Sequence, residues 1–204
     1  MLTQGLIGVG GFKTAHTGWL TLTAPPKTGL GSVAHHKVVV KRPFHKVFPT
    51  AANFGPYKIG QYSLADELPK LFRKANVLYW AKSLLMLTYD FIDHSIASSS
   101  EPPPFTVPCV HFVEAGLALC YHQGASRAGT KTGSMHAAFL LEELIKDGDE
   151  FFLKFIHNMD ANPLLDELDY GYDFAEFFVF MQHVQYVKTR QLAFISDYQG
   201  MSDS

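Results

Sequence analysis

Residues 63–95 read SLADELPKLFRKANVLYWAKSLLMLTYDFIDHS, and the period of this stretch decides the fold class. Leu71, Ala75, Leu78, Ala81, Leu85 and Thr88 recur at three- and four-residue steps, with Trp80, Leu84 and Phe91 beside them. Such positions share one stripe of an α-helix, which turns once in about 3.6 residues. Ser63 followed by Asp66 resembles a capping box, and Pro69 suits a first helical turn. The expectation is a long, mostly buried helix, ended by the SSSEPPP loop at 98–104.

On its N-terminal side the chain reads as strands. GWLTLTA (18–24) and KVVVKR (37–42) are β-branched runs separated by the turn-rich APPKTGLGS, and VVV has the character of a buried strand. Residues 51–62, rich in Asn, Gly and Pro, read as loop. On the C-terminal side, TVPCVHFVEAGLALCY (106–121) has strand content and HQGASRAGTKTGS (122–134) is a polar loop. AAFLLEELI (137–145) fits helix and strand equally by pattern. KDGDE is a turn, and FFLKFIHN (151–158) follows it. Residues 160–170 form an acidic connector, YDFAEFFVFMQHVQYVK (172–188) reads as helix, and QLAFISD (191–197) as strand. A buried helix between β-rich flanks predicts the α+β class.

The bulk numbers exclude several functions. With 204 residues, 47% of them hydrophobic, the chain can bury a sizeable core in one domain, with room for two lobes. Seventeen basic against nineteen acidic residues give a net charge of -2, so no whole-surface field favours nucleic acid or an anionic membrane. An anionic ligand would need a locally basic site. Cys109 and Cys120 make no disulfide framework, which fits a reducing compartment. No signal-like apolar core opens the chain and no run of about 18 apolar residues occurs, so the expectation is a soluble, intracellular, cytoplasmic protein.

Familiar motifs fail on spacing. GVGGFK (8–13) has Lys13 where a dinucleotide fingerprint needs glycine, and Phe12 interrupts a Walker A loop. Ten histidines include no H-E-x-x-H, and there is no C-x-x-C. No G-x-S-x-G elbow supports a Ser-His-Asp triad.

Four segments in order make a different pattern: GGFKTAH (10–16), VVVK (38–41), LLEELIKDGDEFFLKFIHN (140–158) and AEFFVFMQHVQYVKTRQLAFISDYQG (175–200). Together they resemble the alpha-type (atypical serine/threonine) protein kinases, and the wording GFKTAH, WAKSLLMLTYDFID and QHVQY is similar to a divergent fungal branch of that family. The resemblance spans most of the chain. It implies a two-lobed kinase fold with a curved N-terminal sheet, about 1–140, then a hinge and an incomplete C-terminal lobe, about 141–204. It also implies ATP with Mg²⁺, and a protein substrate phosphorylated on Ser or Thr.

Residue by residue, the resemblance gives Gly10, Gly11 and Lys13 the phosphate-covering turn and Lys41 the phosphates. It puts Glu142 and Glu143 at the hinge, where backbone groups would pair with the adenine edge. Phe152, Lys154 and Asn158 fit a Phe-x-Lys-Tyr-x-x-Asn run, with Phe155 in place of tyrosine. Asp197 and Gln199 match an Asp-x-Gln-Gly motif that holds catalytic magnesium, and their two-residue spacing on an extended segment would aim both to one side. Hard oxygen ligands of this kind suit Mg²⁺. His183 stands at the interval of a zinc-binding histidine. The later aspartate and the remaining zinc ligands of the family have no counterpart before Ser204, and Asp203 is too close to Asp197 to serve. The alternative expectation is therefore a non-catalytic nucleotide-binding or interaction module. Asp66 and Glu67 are the weak candidates for an acidic partner of Lys41.

Overall fold

A computed structural model of the chain describes residues 5–48, 57–121, 133–145, 152–157 and 159–201. Among the described residues the fold is α+β, with antiparallel sheets and two helices. The chain divides into two compact units, Met1–Leu78 with Val113–Ile145, and Tyr79–Phe112 with Lys146–Ser204. Among the described residues no helix is long and apolar enough to cross a membrane.

The first unit is a six-stranded sheet. It contains β1 (Leu6–Val9), β2 (Lys13–Leu20), β3 (His36–Val47), β4 (Lys58–Gln61), β5 (Ala115–Tyr121) and β6 (Met135–Glu143). The order is β1-β2-β3-β6-β5, and β4 pairs with the far end of β3. Every ladder is antiparallel. Strand β3 is 12 residues long because Val38, Val39 and Val40 suit a pleated, enclosed ladder, and it is bonded on both edges. AAFLLEELI resolves as strand, since β6 is paired by β3 on one edge and β5 on the other. Part of the segment expected to be loop, residues 58–61, is strand β4, held by Phe44 to Val47.

Helix α1 (Leu64–Ser98) has 35 residues. Ser63 Oγ accepts from the Asp66 amide at 3.3 Å and donates to the Asp66 carboxylate at 2.6 Å, so the expected cap is present. Pro69 lies past the first turn, inside the helix, where it removes one backbone donor. Leu71 is buried in the first unit with Ala138 and Leu140, packed around by Leu64, Leu68, Ala75, Leu78 and Leu117. The helix is less buried than its sequence implies. Trp80 is 65% exposed, and Phe72, Val77, Tyr79 and Met86 are also exposed.

In the second unit, Leu85 of α1 joins Phe155, Ile156, Phe178, Met181 and Tyr198 in a separate core. Burial of side chains this large stabilises by about 1.5–3 kcal/mol each. Helix α2 (Tyr172–Lys188) occupies the expected residues. Its N-cap, Gly171, has φ 88°, a left-handed conformation open to glycine, and a Cβ there would stand 3.1 Å from Leu153. The segment QLAFISD is not a strand. Arg190 and Gln191 adopt φ of 56° and 66°, and the Gln191 amide bonds back to Tyr186 at 2.7 Å, so the chain turns sharply off the helix end. Extended pairing begins only at β8 (Gln199–Gly200), against β7 (Leu153–Lys154).

One buried ion pair anchors α1 to the sheet of the first unit. Arg42 donates to Glu67 through Nε at 2.5 Å and Nη2 at 2.9 Å. Glu67 is fully buried, whereas the Arg42 side chain keeps 26% of its surface in solvent. Removing the cation therefore leaves the costlier remnant. Arg42→Met is expected to destabilise by about 3–5 kcal/mol, and Glu67→Gln by roughly 1–2 kcal/mol. Urea unfolding of both variants checks this, and equal losses would contradict the asymmetry.

Candidate functional site

The register of three strands builds a basic cluster in the first unit. Ala15 on β2 pairs with Lys41 on β3, so Lys13, two residues before Ala15, stands diagonally from Lys41 on the same face. Leu140 on β6 pairs with Lys41, which puts Glu142 on the opposite diagonal of that face. The Lys41 ammonium bonds the Glu142 carboxylate. Leu140 packs against Leu71, and Lys74 follows one turn later on α1.

The charges around Lys13 are legible in its acidity. Burial is the largest cause that lowers its pKa from 10.5 to about 8. The ammonium of Lys74 pushes in the same direction, Glu142 opposes, and Lys41 adds a smaller lowering push. Lys13 thus feels two other ammonium groups and one carboxylate in a chain whose net charge is negative. Such a cluster is under-neutralised, and an anion with several oxygens would relieve the repulsion between its ammonium groups.

The structure corrects several sequence expectations about this site. The acidic partner of Lys41 is Glu142. Asp66 is occupied at the helix cap and Glu67 by Arg42. Glu142 lies within a sheet ladder, paired with Val39 and Ala115, and meets Lys41 through its carboxylate. The Glu143 amide donates to the Glu114 carbonyl at 2.8 Å, and the Glu143 carboxylate accepts from the Glu114 amide at 3.2 Å. That amide is therefore not free for an adenine edge. Gly10 and Gly11 form the turn between β1 and β2, where the Gly10 amide already donates to the Lys13 carbonyl at 2.9 Å. Neither glycine has a positive φ, and a Cβ on Gly11 would meet open space. The fold itself does not require glycine there.

In the second unit, Lys154, Asp197 and Gln199 come together. Lys154 pairs with Gln199 across β7 and β8, and its ammonium donates to Asp197 Oδ1 at 2.7 Å. Both side chains of this ion pair are close to half exposed, so it contributes only about 0–1 kcal/mol and parts easily. Asp197 has φ 62°, and the extended geometry expected to align it with Gln199 is interrupted there. Phe155, in the position that the resemblance gives to tyrosine, is a core residue 5.1 Å from Phe178 between ring centroids. Phe152 is exposed. Asn158 lies outside the described residues.

His183 is exposed on α2, while its neighbours Gln182 and Gln185 are buried. Among the described residues no three or more His, Cys, Asp and Glu side chains gather as a metal site would require. Sequence reasoning passed over the two glutamines. Gln182 Nε2 donates to the Ile195 carbonyl at 2.8 Å, and the Ile195 amide donates to Gln185 Oε1 at 2.9 Å. Gln185 Nε2 also reaches the Tyr198 hydroxyl at 3.4 Å. Two amides at Q-x-x-Q spacing in an otherwise apolar helix were the available signal. Sequence reasoning likewise missed Lys74 and the Arg42–Glu67 pair. No protein-family model, curated protein or solved structure matches this chain.

The lowered pKa of Lys13 has a definite pH consequence. An unfolded lysine holds its proton to about 10.4, whereas folded Lys13 releases it near 8. Between these values the unfolded state binds more protons, so this group makes stability rise with pH across that window. Urea midpoints at pH 7.5 and pH 9.5, roughly spanning that range, are expected to rise more in the wild type than in Lys13→Met. Parallel pH dependence in the two proteins would contradict the assignment.

Proposed function

We propose that this chain binds ATP with Mg²⁺ as an alpha-type protein kinase domain and transfers the γ-phosphoryl group to Ser or Thr of a protein. The observation that carries this reading is the placement of Lys13, Lys41 and Glu142 on one face of the sheet, with Lys41 bonded to Glu142. In it, Lys13 and Lys41 neutralise phosphate oxygens, while Glu142 orients Lys41 from the neighbouring strand. Gly10 and Gly11 cover the phosphates. Their small size then serves the ligand, because the fold tolerates a larger residue at Gly11. In this reading the strand that carries Glu142 and Glu143 would lead toward the hinge of a two-lobed kinase fold.

Asp197 and Gln199 supply hard oxygen atoms of the kind that suit magnesium. Lys154 is paired with the Asp197 carboxylate that would hold such an ion, in a half-exposed and therefore weak ion pair. Phosphoryl transfer asks chiefly for positioned cations and an aligned acceptor hydroxyl, so these groups have appropriate chemistry.

A second reading has its own support. The Lys154–Asp197 ion pair engages the carboxylate that catalysis would assign to magnesium. A non-catalytic nucleotide-binding module would retain such a pair and the lysine cluster alike.

Calorimetric titration with Mg-ATP, run beside transfer of radiolabelled phosphate to a basic protein, separates these readings. The wild type is expected to bind nucleotide, and Lys41→Ala to bind it about tenfold to a hundredfold more weakly, the worth of one charge-assisted hydrogen bond. Lys41→Ala is expected to fold, because Glu142 keeps Lys13 nearby. Gly11→Ala is expected to weaken binding while leaving stability within about 0.5 kcal/mol. Label incorporation that depends on Lys41 supports the kinase, whereas binding without incorporation supports the module. Absence of binding at millimolar nucleotide, or equal binding by wild type and Lys41→Ala, would overturn both.

A further inference from the structure

The second unit carries a groove of about 900 Å³ between the C-terminal part of α1, the loop after it and the N-terminal part of α2. Its walls are mainly apolar and aromatic, with Phe91, Phe105, Phe177 and Phe180 among them. Phe105 is 68% exposed and Phe180 41%, so large rings stand open to solvent here. A groove of this size, mostly apolar with a few polar groups, falls within the range of protein ligand sites.

Its charged groups all have one sign. Glu101, Asp173 and Glu176 line the groove, and no Lys, Arg or His does so among the described residues. Asp173 sits in the first turn of α2 and complements the helix dipole. Glu176 and Glu101 lie outside that turn, so the dipole does not account for all three carboxylates. Lys188, outside the lining, stands 4.4 Å from the centroid of the Phe91 ring, so a cation is already held against one of these aromatic rings.

We infer that this groove docks a basic amphipathic segment of a partner protein. Apolar side chains of that segment enter among the phenylalanines, and its Lys or Arg side chains meet Glu101, Asp173 and Glu176. Apolar contact supplies the affinity, while the acidic rim selects basic partners and excludes acidic ones. Arginine satisfies the rim particularly well, because its planar cation both stacks on aromatic rings and pairs with carboxylates. The groove lies apart from the lysine cluster in sequence and in chemistry, and this docking does not depend on nucleotide.

Fluorescence anisotropy tests the inference with the whole chain and a labelled peptide of roughly twelve residues, with Leu and Phe at helical spacing and Arg between them. A control peptide carries Glu in place of every Arg. The Arg peptide is expected to bind at least about tenfold more tightly than the Glu peptide, and Glu176→Lys to erase that preference. Phe105→Ser, at an exposed position where folding is not at stake, is expected to weaken the Arg peptide by about tenfold as well. Equal binding of the two peptides, or an Arg preference that survives Glu176→Lys, would overturn it. Concentration-dependent self-association lost in Phe105→Ser would instead assign the groove to a second copy of the chain. Binding to neutral lipid vesicles without peptide preference would assign it to a lipid surface. Either outcome contradicts the proposal.

Discussion

Strand β3 is bonded along both edges, and that double constraint sets the chemistry of the first unit. A slip of one residue against β2 or β6 would turn Lys41 to the opposite face. The valines that precede it make such a slip unfavourable. Val38 is almost wholly buried, and the ladder through Val38, Val39 and Val40 is matched residue by residue on both sides. With the register fixed, Lys13 and Glu142 fall on the two diagonals of Lys41 without any further device. Helix α1 then packs through Leu71 onto Leu140 and Ala138, and the same turn structure delivers Lys74 to the cluster. The site is thus a by-product of core packing, with polar side chains where the apolar contacts end.

The second unit positions its polar groups by a different means. Tyr198 is buried and stacks on Phe178 with ring centroids 4.5 Å apart and planes within 7°. Burial pushes its hydroxyl pKa far upward, so the group acts as a neutral hydrogen-bond partner for Gln185. Gln182 and Gln185 grip both backbone groups of Ile195. Asp197 is held between these two anchors, and its left-handed backbone is enforced by its neighbours. Its carboxylate faces solvent and Lys154. The exposed carboxylate thus pairs with the Lys154 ammonium across the end of the β7–β8 ladder.

Much of this fold could be read from the sequence where periodicity was long. Helix α2 matches its apolar run from first residue to last, and Ser63 marked the start of α1. The reading failed where a local pattern carried too little information. AAFLLEELI has no decisive period, and only two flanking strands make it β6. QLAFISD looks extended, but the left-handed turn at Arg190 and Gln191 takes its residues out of any ladder. The site was legible in residue types and obscure in partners. Glu142 meets Lys41 across 101 residues of sequence, and a spacing argument cannot reach that far. Asp66 and Glu67, nearer in the chain, were drawn off by a cap and by Arg42. Trp80, beside the apolar stripe of a helix expected to be mostly buried, is exposed because helical spacing ranks faces without saying which one meets a neighbour.

Competitive lysine labelling, followed by mass spectrometry with and without saturating Mg-ATP, addresses the central claim most directly. If the cluster on β2, β3 and α1 holds a nucleotide's phosphates, Lys13 and Lys41 will be protected, while the exposed Lys27 and Lys58 react at unchanged rates. Unchanged labelling of Lys13 and Lys41 at saturating nucleotide would contradict it.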